Sequence, residues 1–221
     1  MFFWIEAIIL ASSLLGDPNI NLVKSDIVDI NKNSIRVYNG FESRPLMGFV
    51  LLGDIRREYH HTSISGVDFS RTLKSDFKDK PIDLSLRMSL VRYNENSYQK
   101  NHNQYNIFLN AHYKKRYNGI PVRFFLGEGI SFAERIPFVE GRETRRLSGR
   151  DSKVMNYLNV GFDFRLSDLT GQNSLHNVRL GLANSHRSGA FKKIKLFNYT
   201  QGGSDFASFF IEYDFKPIDT F

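Results

Sequence analysis

The stretch PIDLSLRMSLVRY, residues 81–93, sets Ile82, Leu84, Leu86, Met88 and Leu90 on one parity and Asp83, Ser85, Arg87 and Ser89 on the other. Successive side chains of a strand point to opposite faces, so this period of two specifies a sheet with one apolar and one polar face. KVMNYLNVGFDFRL repeats it, with Leu158, Val160, Phe162, Phe164 and Leu166 opposed to Tyr157, Asn159, Asp163 and Arg165. DFASFFIEYDF does so again, with Ala207, Phe209, Ile211, Tyr213 and Phe215 against Ser208, Glu212 and Asp214. Helix-period apolar stripes are hard to find, and Phe and Tyr are abundant, which also favours strands.

Weaker runs near 46–58, 62–72, 103–117, 120–134 and 175–188 raise the expected number of strands to eight. An even set of amphipathic strands closes into an up-and-down barrel without exposed edges. The expected fold is therefore all-β, an eight-stranded antiparallel transmembrane β-barrel over residues 46–221. A polar lead of residues 17–45 precedes it. The N-terminus MFFWIEAIILASSLLGDP has an apolar run too short to cross a bilayer as a helix. It reads as a signal peptide over residues 1–16, with a buried N-terminal helix as the alternative.

Alternation alone does not say which face points inward. In a soluble barrel the apolar face fills the interior, whereas in a bacterial outer-membrane barrel it meets lipid. The export-like N-terminus and the aromatic end of the last strand, Tyr213 and Phe215, favour the membrane. A polar interior then has to pair Arg87, Asp163, Arg165, Arg179 and Glu212 among themselves, because isolated buried charges are costly. Loop lengths agree in part: Asn118-Gly119 suits a tight hairpin, and residues 134–153 and 189–203 make long connections on the other side. The turns near 73–80 and 167–174 are longer than ideal, however, and the first outside loop, near His60-His61, is short. Glu128, between Gly127 and Gly129, has lipid-facing parity, and a glycine bulge turning it into the lumen is the expected resolution.

The segment GLANSHRSGAF places His186 and Ser188 two residues apart on the apolar parity, at the outer end of the seventh strand. That spacing is about 6.6 Å along a strand, close enough for an imidazole to activate a hydroxyl. Asp205, in GGSDF, has the matching parity at the start of the last strand, so a catalytic His186, Ser188 and Asp205 would share the exterior. The glycine amides of Gly189, Gly202 and Gly203, or the Asn198 side chain, are the candidates for contact with an oxyanion. The bland alternative is an interfacial His–Ser pair bonded to itself or to the loop.

SHRSGAF and GGSDF together resemble the lipid A 3-O-deacylases of the PagL type. That family consists of eight-stranded outer-membrane barrels with a Ser-His-Glu triad on the lipid-facing exterior. The resemblance implies Ser188 as nucleophile, His186 as base and Asp205 as acid. Two differences stand out: Gly189 follows the serine where the family has Asn, and Asp205 replaces Glu. The implied activity is a carboxylic ester hydrolase removing an acyl chain from lipid A, with no cofactor and no metal.

The formal charge of +7 suits nucleic acid, anionic lipid or phosphorylated glycolipid equally. Placement favours the last. Arg142, Arg145, Arg146 and Arg150 lie in one long loop and Lys192, Lys193 and Lys195 in another. Arg145, Arg146, Lys192 and Lys193 are the expected contacts to phosphates of lipid A or lipopolysaccharide. A nucleic-acid partner lacks any recognisable module. Cysteine is absent, which removes thiolate catalysis, and His60, His61, His102, His112 and His176 lack metal-ligand spacing. The rival function is a non-catalytic outer-membrane barrel with an adhesion or envelope-integrity role.

Overall fold

Strands β1 (Asn33–Glu42), β2 (Ser63–Lys74), β3 (Ile82–Asn94), β4 (His102–Tyr117), β5 (Ile120–Ala133), β6 (Val154–Arg165), β7 (Val178–Ser188) and β8 (Gly203–Phe215) form one sheet. Each is antiparallel to the next, and β8 pairs with β1 to close the barrel. Helix α1 (Phe138–Ser148) lies in the connection between β5 and β6, and the short α2 (Leu166–Thr170) follows β6. The computed structural model describes residues 33–44, 53–189 and 192–216. The expected signal peptide, residues 1–16, lies outside these.

The first strand differs from its expected position. It is Asn33–Glu42, inside the segment read as a polar lead, so the barrel begins upstream of residue 46. Of the expected strand at 46–58, residues 53–58 are loop, tied to the barrel rim by the isolated bridge Ser43–Arg57. Its apolar residues lack alternation, whereas β1 does alternate. Ile35 and Val37 face out and Arg36 and Tyr38 face in, but Asn39 interrupts the outward apolar set, so the strand looks like a polar tract.

The ends of the barrel are unlike. At one end Asn118-Gly119 makes a tight hairpin, both residues at positive φ, 49° and 83°, as such a turn requires. The described residues of the connections after β1, β5 and β7 (43–44 and 53–62, 134–153, 189 and 192–202) lie at the other end, which by the usual asymmetry of these barrels is the extracellular one. The first of them is longer than the sequence suggests, because β1 ends earlier.

Facing directions follow the alternation. Val37, Ile107 and Phe209 are 54%, 51% and 51% exposed, part of an outward apolar belt that suits hydrocarbon and would be a liability in water. Aromatic neighbours Tyr117, Phe124 and Phe162 line its inner edge. The lumen is packed. Arg36, Arg87 and Arg123 converge on Glu212 at 2.7, 3.0 and 3.0 Å. Arg123 and Arg179 share Asp163, and Arg179 also reaches Asp214 at 2.9 Å. Arg87, Asp163, Arg179 and Glu212 of the expected set thus pair internally, in a network enlarged by Arg36, Arg123, Asp68 and Asp214. Above it the Arg36 guanidinium lies 3.8 Å from the Phe210 ring centroid, a cation–π contact.

Helix α1 closes the extracellular mouth. Its Glu140 is fully buried and accepts hydrogen bonds from Arg187 (3.0 Å) and Ser204 (2.9 Å), both on the lumenal face. Glu95 accepts from the Phe138 amide at the first turn, using a donor that the helix itself cannot satisfy. Gly149, at φ 68°, ends the helix by donating its amide to the Arg145 carbonyl.

Candidate functional site

The β7–β8 register pairs His186 with Asp205 and Ser188 with Gly203. Because both members of such a pair face the same way, the two side chains meet on the exterior. The His186 Nδ1 to Asp205 Oδ1 distance is 3.0 Å, with side chains 20% and 8% exposed. The carboxylate accepts, so the proton sits on Nδ1 and Nε2 is left as the acceptor. Asn184, one step down β7 on the same face, donates its Nδ2 to the same Oδ1 at 3.1 Å. An Asn184–Asp205–His186 chain therefore crosses two strands on the outside of the barrel.

Ser188 lies on the same face as His186, and among the described residues its hydroxyl has no hydrogen-bond partner. Its cross-strand neighbour Gly203 lets the two backbones approach closely. A Cβ there would lie 1.7 Å from the Arg187 carbonyl oxygen and 3.1 Å from the Ser188 Cα, so no side chain fits at that position.

The lumenal side of this segment is clamped. Arg187 and Ser204 are the cross-strand pair next to His186 and Asp205, and Glu140 binds both. Burial raises the Glu140 carboxyl above its ordinary range, with Arg187 opposing. Glu143, half-buried on α1, is likewise raised by burial and feels the charges of Asp205 and His186.

Other expected site residues are placed differently. Asn198 donates its side-chain amide to the Asp151 carbonyl (3.0 Å), and the Gly189 amide goes to the Gly202 carbonyl (3.2 Å). Gly203 itself is a ladder residue opposite Ser188. The Gly189 amide is thus occupied, and one of the two N–H groups of the Asn198 amide is committed to the Asp151 carbonyl. Arg145 pairs with Asp151. Arg146, Lys192 and Lys193 are exposed on the extracellular loops.

Glu128 corrects a further expectation. The β4–β5 and β5–β6 registers run through it without a bulge, opposite Leu109 and Leu158. It faces outward on β5, and Leu158 is in turn the partner of His186. Glu128, Leu158, His186 and Asp205 thus form one transverse row across four strands. Its lipid-facing parity was legible in the sequence; its level relative to His186 required the register. Asn184 went unread as a partner of Asp205 for the same reason. Among the described residues no group of three or more His, Cys, Asp or Glu is placed to hold a metal ion.

No family model matches the chain, and no curated protein matches it. Solved structures do. The outer membrane enzyme PagL superposes with a TM-score of 0.52 over 84% of this chain and 99% of that one, at 12% identity. The N-terminal β-barrel domain of Pseudomonas aeruginosa OprF gives a TM-score of 0.46 over 84% and 98%, also at 12% identity. The protein is an eight-stranded barrel of the bacterial outer membrane. At this identity the likeness speaks for the fold and leaves the chemistry to the site.

Proposed function

We propose that the protein is an outer-membrane ester hydrolase that removes an acyl chain from lipid A. The observation that carries the reading is the His186–Asp205 contact on the hydrocarbon-facing surface, with Ser188 on the same face and without a hydrogen-bond partner among the described residues. Polar groups facing lipid are costly, and a base oriented by an acid beside a hydroxyl is the arrangement nucleophilic acyl transfer needs.

In the first step the Ser188 Oγ attacks the ester carbonyl carbon while its proton passes to His186 Nε2. The carbonyl π pair moves onto oxygen. Asp205 holds the imidazole in the tautomer that accepts this proton and stabilises the resulting imidazolium. When the tetrahedral species collapses, the sugar oxygen leaves with the proton from His186, and Ser188 carries the acyl group. Water, deprotonated by His186, then attacks the acyl carbon; the bond to Ser188 Oγ breaks, Oγ takes the proton back from His186, and the fatty acid is released. An acyl chain lying along the barrel wall presents its ester where the chain meets the headgroup, which is the level of the outer strand ends. The extracellular cations Arg146, Lys192 and Lys193 are available to the sugar phosphates there.

The rival, a non-catalytic barrel with an adhesive or envelope role, draws on the missing Ser188–His186 hydrogen bond among the described residues. Mass spectrometry of lipid A from cells expressing the wild type or Ser188→Ala separates the two. Loss of one acyl chain with the wild type, and none with Ser188→Ala, is the expected result; identical spectra favour the rival.

A further inference from the structure

We infer that Asn156 is the oxyanion-binding residue of this site, a catalytic role that rests on the hydrolase reading above. The Gly189 amide donates to the Gly202 carbonyl, one N–H of the Asn198 amide donates to the Asp151 carbonyl, and Gly203 is a ladder residue. The developing negative charge then needs another donor close to Ser188. The β6–β7 register supplies one. Asn156 is the direct cross-strand partner of Ser188.

Both side chains point outward, since the lumenal residues of β6 are Met155, Tyr157 and Asn159, all buried. Directly opposed residues of an antiparallel pair have Cβ atoms about 4.5–5.5 Å apart. An asparagine amide spans much of that gap, so its Nδ2 can approach an oxygen on a carbon newly bonded to Ser188 Oγ. The other neighbour of Ser188 in the row is Gly203, which offers no side chain. Ser188 thus sits between a glycine and a primary amide, with His186 below it on its own strand.

The two outward asparagines of this region differ in one respect. Asn184 is explained by its hydrogen bond to Asp205. Asn156 has no hydrogen-bond partner among the described residues, so nothing in the resting fold accounts for a primary amide on the apolar-facing side of β6. A donor held ready by its strand and unused before reaction is what electrostatic stabilisation of a tetrahedral oxyanion requires. As Ser188 Oγ bonds to carbon, the carbonyl oxygen gains the negative charge and Asn156 Nδ2–H donates to it. The bond loosens again when the carbonyl re-forms in the acyl-enzyme.

The test measures lipid A deacylation in detergent micelles by the wild type, Ser188→Ala, Asn156→Ala and Asn156→Asp, each checked for barrel closure by heat-modifiable gel migration. Asn156→Ala is expected to lower kcat by about 10²–10³-fold with KM nearly unchanged, the usual loss for one oxyanion donor. Asn156→Asp, isosteric but presenting a carboxylate, is expected to be no better. Ser188-dependent activity that survives Asn156→Ala at full kcat overturns the role of Asn156 and leaves the hydrolase reading standing. Wild-type protein with no Ser188-dependent activity overturns both.

Discussion

At the residue scale the exterior of β7 and β8 spends several polar side chains where hydrocarbon would accept leucine. Asn184 is the clearest example. It holds the Asp205 oxygen that also binds His186, and it occupies an outward position on a strand whose other outward residues include Leu180 and Leu182. If its purpose is to orient the acid, Asn184→Leu should leave the barrel as stable as before or more so, and weaken hydrolysis. One hydrogen bond to a charged group contributes about 1.5–3 kcal/mol, so kcat/KM should fall roughly ten- to hundredfold. Steady-state kinetics paired with thermal unfolding in micelles checks both halves. A parallel loss of stability and activity would instead mark Asn184 as a structural residue.

At the scale of elements, α1 joins the site to the extracellular loops. Glu140 grips Arg187 and Ser204 from inside the barrel, while their neighbours His186 and Asp205 meet outside. Arg187 opposes the burial that raises the Glu140 carboxyl, and Ser204, His186 and Glu95 act on it more weakly. An acid whose folded-state pKa is raised contributes stability that is complete below its unfolded value of about 4.3 and is lost as pH climbs through the raised value. Docking of α1 should therefore be tightest in mild acid and loosen as pH rises. Protease cleavage within residues 134–153, followed across that range, should accelerate with pH in the wild type. In Glu140→Gln it should vary far less, after correction for the protease's own profile. The helix was not legible in advance: its residues FVEGRETRRLS carry few apolar side chains, and its buried residues are Glu140, Gly141 and Thr144. What makes it a packed element is a mouth of matching polar groups contributed by distant strands.

For the whole molecule, the lumen is a filled ion-pair core. Glu212 lies among Arg36, Arg87 and Arg123, so Glu212→Gln leaves an excess of buried positive charge. Breaking a buried pair by removing one partner costs about 3–5 kcal/mol, and urea unfolding in micelles should show a loss of that order. A change within about 0.5 kcal/mol would mean that water reaches this network freely. The need for internal pairing was visible from the lumenal parity of Arg87, Asp163, Arg179 and Glu212. Their particular partners were not, because each pair joins strands far apart in the chain.

Which way a side chain faces is a local property, set by the alternation of the backbone at neighbouring residues. Facing was therefore readable for β3, β6, β7 and β8, and with it the shared exterior of His186, Ser188 and Asp205. It failed at β1, where Asn39 blurs the apolar parity, and at Glu128, where the cost of a carboxylate on the outer face points to a bulge that the register does not contain. Register is different: it is decided by hydrogen bonding between segments brought together only when the barrel closes. That closure alone set His186 opposite Asp205, Ser188 between Asn156 and Gly203, and Glu140 over the mouth, because no interval along the chain encodes the offset of one strand against the next.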